Sequence, residues 1–316
     1  MSRTMPAQSP LPLRDGVGAS CVAVPPRTAG AVLDFLVQRL PGIPREEWGR
    51  RIAQGEVVAA DGRALQAGDA CAGHERLFYY RVLQEEPVLP FEAEILFQDA
   101  HLVVVDKPHF MPVVPSGPYL QRSLLVQMKR RLGIEALSPL HRIDRDTAGL
   151  VAFGVRLQER GAYQQLFALH TIEKTYEAVA PWVAALAQPR TLRTRMAPAA
   201  EFFREQVVEG EPNTVTRTEM LARHGDLAYY RLWPTTGRKH QLRVHMAALG
   251  APLLHDPLYP AIVDTEEGDH SRPLQLLARS LSFVDPVTGI PRYFESRRRL
   301  AAVALWDPAG GPAPAR

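Results

Sequence analysis

EILFQDAHLVVVDKP, residues 94–108, reads as two strand-like runs broken at Gln98-Asp99. Outward from it, helices and strands intermix. SLLVQMKRRLG (123–133) is expected to be a helix, with Ser123 as cap, Leu125, Met128 and Leu132 inward, and Gly133 as terminator. LQERGAYQQLFALH (157–170) reads as another, with Tyr163, Leu166, Phe167 and His170 on one stripe. TIEKTYEAVA (171–180) alternates like a half-buried strand, and LAYYRLWPTTG (227–237) reads as strand then turn. QLRVHMAALG (241–250) has the pattern of a helix closed by Gly250. No regular βαβ period links these elements, so the expected class is α+β and not a doubly wound sheet.

Upstream, residues 20–83 read as a small α+β module. Leu33, Leu36, Val37 and Leu40 follow helical spacing, with Thr28 as a candidate cap and Pro41-Gly42 as the end. Pro44 opens a second helix, REEWGRRIAQG, with Trp48 and Ile52 on one face and Gly55 as the stop. The strands EVVAA and LFYYRV follow. Residues 84–90 (QEEPVLP) are expected to link this module to a large domain over 91–306. Residues 1–19 and 307–316, rich in Pro with Ser, Gly or Ala, read as tails.

The chain has 316 residues, 46% hydrophobic and 22% charged, an ordinary globular composition with room for a sizeable core. It has no run of membrane-spanning length, and its first residues lack the apolar run of a secretory signal. Two cysteines are too few for a disulfide framework, so a reducing, cytoplasmic setting is expected. The net charge of +3 rules out a polycation. Residues 1–90 are balanced, and the excess lies downstream. Residues 121–146 hold Arg122, Lys129, Arg130, Arg131, Arg142 and Arg145, a patch suited to phosphates or simply a solvated helix face. Only four of the 37 cationic residues are lysines (Lys107, Lys129, Lys174, Lys239), and three of these fall in the motifs below.

Several chemistries find no motif. There is no GxxxxGK[ST], no GxGxxG after a strand, no CxxC, no HExxH and no GxSxG. No metal and no nucleotide cofactor is expected, which points to redox-neutral chemistry.

Four constellations remain. HRIDRDTAGL (141–150) places Asp144 among cationic neighbours, where a carboxylate stays ionised and can act as nucleophile or base. It reads equally as a charged turn, with Asp146 and Thr147 capping the backbone. GRKHQLRVH (237–245) is dense in donors at a helix start, suited to RNA phosphate, to holding a carboxylate, or merely to exposure. EKTYE (173–177) puts Lys174 and Tyr176 on one strand face, for packing or for handling a base. DPLY (256–259) reads as an ordered structural turn.

Taken in order, HRIDRDTAGL, EKTYEAV (173–179), GRKHQLRVH and DPLY resemble the RluA-type family of RNA pseudouridine synthases, and VVVDKP (103–108) and LLARSLSF (276–283) fit with them. The resemblance covers about residues 91–300. It implies a catalytic domain with a large mixed, mainly antiparallel sheet, which isomerises specific uridines of ribosomal or transfer RNA with base flipping. The stretch LDFLVQRLPGIPREEWGRRIAQGEV resembles the small alpha-L RNA-binding domain that precedes such domains. The family pattern implies Asp144 as the catalytic aspartate and Tyr176 as the residue that packs on the target base and assists proton removal at C5. Arg243 is implied as the partner that orients Asp144 and keeps it ionised. Arg142, Lys174, Arg238, Lys239 and His240 are the expected RNA contacts. RNA is the expected partner, without membrane, and a monomer the expected state. Ala148, Lys239 and His255 depart from the commonest family residues and bear on substrate fit. The competing reading is a non-catalytic RNA-binding or ribosome-assembly factor on the same fold.

Overall fold

The computed structural model describes residues 9–81, 85–266 and 268–306. They form two compact units, divided between Glu86 and Pro87. The first holds β1 (Ser20–Ala23), α1 (Val32–Arg39), α2 (Arg45–Ala53), β2 (Val57–Ala59) and β3 (Arg76–Tyr79). β3 lies between β1 and β2 in a three-stranded antiparallel sheet. Trp48 and Ile52, four apart on α2, share a core with Leu36 of α1 and Leu77 of β3. Pro44 stands at the start of α2, and Gly55 just beyond its end has φ +71. α1 begins later than its pattern predicts. The Thr28 hydroxyl donates to the Pro25 carbonyl at 2.7 Å and caps no helix.

Residues 9–19, expected as part of a tail, are packed onto this first unit. The Tyr80 hydroxyl donates to the Pro12 carbonyl at 2.7 Å. Arg14 pairs with Glu56 at 2.9 Å and lays its guanidinium over the Tyr80 ring at 4.0 Å. Val17 is buried. These partners are distant in sequence, so no local period announces them. The remaining parts of the expected tails, 1–8 and 307–316, lie outside the described residues, as do 82–84 at the end of the expected strand LFYYRV and the start of the linker.

The second unit holds β4 (Glu94–Gln98), β5 (Leu102–Lys107), α3 (Leu124–Leu132), β6 (Ser138–Pro139), β7 (Ala148–Gly154), α4 (Arg160–Ala168) and β8 (Glu173–Pro181). It continues with β9 (Arg190–Pro198), β10 (Glu205–Val208), β11 (Thr214–His224), β12 (Leu227–Pro234), α5 (Gln241–Ala248), β13 (Leu276–Val284), β14 (Pro291–Glu295) and α6 (Ala301–Trp306). One 11-stranded sheet runs β10-β9-β11-β12-β8-β13-β7-β5-β4, with β14 on β13 and β6 on β7. The β13–β7 pair is parallel and the other pairs are antiparallel, so the sheet is mixed and mainly antiparallel, and the class is α+β.

The strand patterns follow from what covers each face. Val103 and Val105 of β5 and Val151 and Phe153 of β7 pack with Leu124 and Met128 of α3. Leu102, Val104, Leu150 and Ala152 pack on the other side with Tyr163 of α4. Both faces are buried, hence the unbroken apolar runs VVV and LVAFG. β8 and β12 instead offer Ala178, Ala180, Tyr230 and Leu232 to Leu242 and Met246 of α5. Two helix ends differ from expectation. The Ser123 hydroxyl donates back to the Leu120 carbonyl at 2.8 Å and leaves α3 without a side-chain cap. α4 ends at Ala168, and His170 turns to φ +58 beyond it, exposed and off the helix stripe.

Candidate active site

Asp144 sits in the loop between β6 and β7, and hydrogen-bonded groups pin that loop on both sides. On the approach, Nε2 of His141 accepts the Ala152 backbone N–H at 3.1 Å, while the ring stacks on Phe167 at 4.7 Å. Burial, with the nearby Lys174 charge, pushes the His141 pKa down to about 3, which keeps that nitrogen an acceptor. On the exit, the Lys107 ammonium donates to the carbonyls of Pro108 (2.9 Å), Met111 (2.8 Å) and Arg145 (3.0 Å). Burial pulls the Lys107 pKa down to about 7. His109 Nδ1 donates to the Asp146 carbonyl at 2.7 Å. Two residues past Thr147, Gly149 has φ +109 and lies against Ala278 of β13.

The carboxylate is 26% exposed and faces α5. Nη1 of Arg243 stands 3.4 Å from its Oδ2, and Nε2 of His240 stands 4.0 Å from its Oδ1. Arg243 is 1% exposed. Its firmest partner is Asp256: Nε donates to Oδ2 at 2.8 Å and Nη2 to Oδ1 at 2.6 Å. Burial acts to pull the guanidinium pKa down, but the hydrogen bonds and charge of Asp256, then Asp144, hold it above its ordinary value. Asp256 also accepts the backbone N–H groups of Leu258 and Tyr259, so one carboxylate fixes both the turn and the arginine.

Tyr176, on β8, pairs in register with Leu232 and Ala278. Burial raises its phenol pKa, and the charge of Asp144 raises it further. The hydroxyl therefore stays protonated beside the aspartate. That suits a packing surface better than a phenolate base.

The structure brings Asp144, Tyr176, Arg243 and His240 together. Arg142, Arg238 and Lys239 are exposed on the flanking segments. Lys174 is not at the surface. It is 9% exposed and donates to the Thr236 carbonyl at 3.3 Å, on a strand covered on both faces along much of its length. Burial brings its pKa down to about 8. Sequence reasoning missed Asp256, His141 and Lys107. For Asp256 a trace existed. Arg243 lies in an apolar helix stretch, and a buried arginine requires a carboxylate within reach.

Comparisons with known proteins bear on the family. A family model described as RNA pseudouridylate synthase matches residues 101–248, which include Asp144, Tyr176 and Arg243. An uncharacterized RNA pseudouridine synthase of Synechocystis sp. is 31% identical over 72% of this chain and 79% of its own length. The dual-specificity RNA pseudouridine synthase RluA of Haemophilus influenzae is 30% identical over 68% of this chain and 98% of its own. Among solved structures, human RNA pseudouridylate synthase domain containing 1 superposes with a TM-score of 0.54 at 19% identity, covering 73% of this chain and 100% of that one, a likeness of fold. The chain belongs to the RluA-type family of RNA pseudouridine synthases.

Proposed function

We propose that this protein isomerises specific uridines in ribosomal or transfer RNA to pseudouridine, with Asp144 as the catalytic aspartate. The observation that carries this reading is a reachable carboxylate held against a buried arginine, itself clamped by Asp256. The reaction breaks the C1′–N1 bond, turns the base and joins C1′ to C5, with loss of the C5 proton. It is redox-neutral and needs no nucleotide cofactor. Asp144 is partly exposed, which leaves it reachable for either attack on the sugar or removal of a sugar proton. Tyr176 supplies the surface on which the detached uracil turns without being lost. Arg243 holds the carboxylate in place and in its charged form.

A uridine inside a helix is out of reach, so it must leave the stack at a cost of a few kcal/mol. The exposed Arg142, Arg238 and Lys239 are placed to offset that cost through phosphate contacts. Lys174 serves from beneath, by holding the Thr236 carbonyl at the turn before α5. We assign the first unit the role of an alpha-L-like RNA-binding domain. The same reading has the enzyme working as a monomer in the cytoplasm, where both cysteines stay reduced. No helix among the described residues is long and apolar enough to cross a membrane.

The test is tritium release from RNA labelled at uridine C5, taken from a strain lacking the gene. Forming the C1′–C5 bond must expel that label. Wild type should release it, and Asp144→Asn should bind RNA without releasing it. Salt-sensitive binding with no release by wild type would favour a binding factor instead.

A further inference from the structure

His240 lies in a basic helix start, yet its ring is turned inward. It stands at the cap of α5 with φ +55, a region few residues with a Cβ adopt. Its side chain is 10% exposed, and Nδ1 lies 3.0 Å from the Tyr259 hydroxyl. That buried hydroxyl already accepts the Glu205 backbone N–H at 2.8 Å. Among the described residues, the acceptor within reach of the hydroxyl hydrogen is Nδ1 of His240. Nδ1 therefore accepts, and the ring proton sits on Nε2, facing Asp144. Burial, together with the charges of Arg243 and Lys239, lowers the His240 pKa and favours this neutral form, although Asp144 and Asp256 act the other way.

The Asp144 carboxylate is thus bracketed by Arg243 on Oδ2 and His240 on Oδ1. Both approaches are long. Catalytic hydrogen bonds commonly stand so before substrate draws the groups together. A buried, neutral ring held by a tyrosine is poorly made for gripping an exposed phosphate.

We propose that His240 is a positioning residue for Asp144: Tyr259 fixes its tautomer, and its Nε2–H sets the orientation of the carboxylate as the reaction begins. This rests on the pseudouridine synthase reading above. It moves His240 from the RNA-contact set into the site.

The test uses the full chain, as wild type, His240→Ala, His240→Gln and Tyr259→Phe. Each is mixed in excess with cellular RNA carrying tritium at uridine C5. The maximal release rate and the enzyme concentration at half-saturation are read separately. A reacting group misplaced by about 1 Å costs on the order of 100-fold, so His240→Ala should lower the maximal rate by up to that factor and leave half-saturation little changed. His240→Gln, which keeps a side-chain N–H, should recover part of the rate. Tyr259→Phe removes one oxygen and should lower the rate in the same direction. If His240→Ala fails to fold, the last two variants carry the test. A salt-dependent rise in half-saturation at an unchanged maximal rate would make His240 a phosphate contact and overturn the proposal. So would glutamine no better than alanine together with a wild-type rate for Tyr259→Phe. No release by wild type overturns the functional reading, and this inference with it.

Discussion

At the scale of single residues, two carboxylates near one arginine have unequal duties. Asp144 is partly open to solvent, whereas the Asp256 side chain is fully buried against Arg243. Removing one partner of a buried pair leaves an uncompensated charge, at about 3–5 kcal/mol. Asp256→Asn should therefore lower stability by roughly that amount and also slow tritium release, since Asp144 loses its anchored neighbour. Asp144→Asn should stop release and leave the urea midpoint almost unmoved. Equal loss of stability in both variants would show that the two carboxylates share one structural task. Gly149 makes a backbone argument. At φ +109 an added Cβ would overlap the Ala278 carbonyl across the parallel β7–β13 contact. Strain of this kind costs about 1–3 kcal/mol, with repacking in addition. Gly149→Ala should lower the urea midpoint accordingly, and a wild-type midpoint would mean that β13 shifts freely.

At the scale of elements, the Asp144 loop takes its shape from its neighbours. Lys107, at the end of β5, serves three carbonyls at once, and only the ammonium has three hydrogens to give. Lys107→Met strands those carbonyls, each worth about 1–3 kcal/mol when left unpaired in the interior. The expected outcome is a lower melting temperature and a slower release rate, with RNA affinity retained. An unchanged rate would mean that the His141 side of the loop suffices to hold Asp144. The elements also show what could be read beforehand. β12 alternates because α5 covers one face, and β5 and β7 run apolar because both faces are covered; those patterns are local and so were legible. β8 does not alternate as expected, because Glu177 and Val179 on its other face are buried too, by partners distant in sequence such as Arg279 and Leu300. The caps were not legible either. Ser123 and Thr28 have the right chemistry for helix starts, but each hydroxyl found a backbone carbonyl three residues back. The motifs around Asp144, Tyr176 and Arg243 were legible as short runs. The Asp256 clamp was not, because its partner is an element away and DPLY looks complete as a turn.

At the scale of the whole molecule, the larger unit has neutral histidines on both sides of the Asp144 loop, each partly buried, and a buried one on α5, and this governs its response to acid. His109 and His245 are pushed down to about 4 and His141 to about 3, in each case chiefly by burial. The local reasons are concrete. His141 Nε2 already receives a backbone N–H, so a proton there would meet a donor. His245 Nε2 lies 2.9 Å from the Thr194 hydroxyl and 3.0 Å from that of Thr214, while its buried Nδ1 has no partner among the described residues. A second ring proton would be buried unpaired. An unfolded histidine titrates near 6.5. The folded values lie lower, so the stabilisation is full above about pH 6.5 and is lost as pH falls towards 4 and then 3. In that window the unfolded chain binds more protons, and each histidine adds a slope of up to about 1.4 kcal/mol per pH unit. The urea midpoint of the larger unit should therefore fall steeply between pH 6.5 and 4. In His245→Asn the same curve should be flatter by up to one proton, whatever that substitution does at neutral pH. A curve parallel to wild type would show that His245 titrates alike in the folded and the unfolded chain, so that its burial has no part in the acid response.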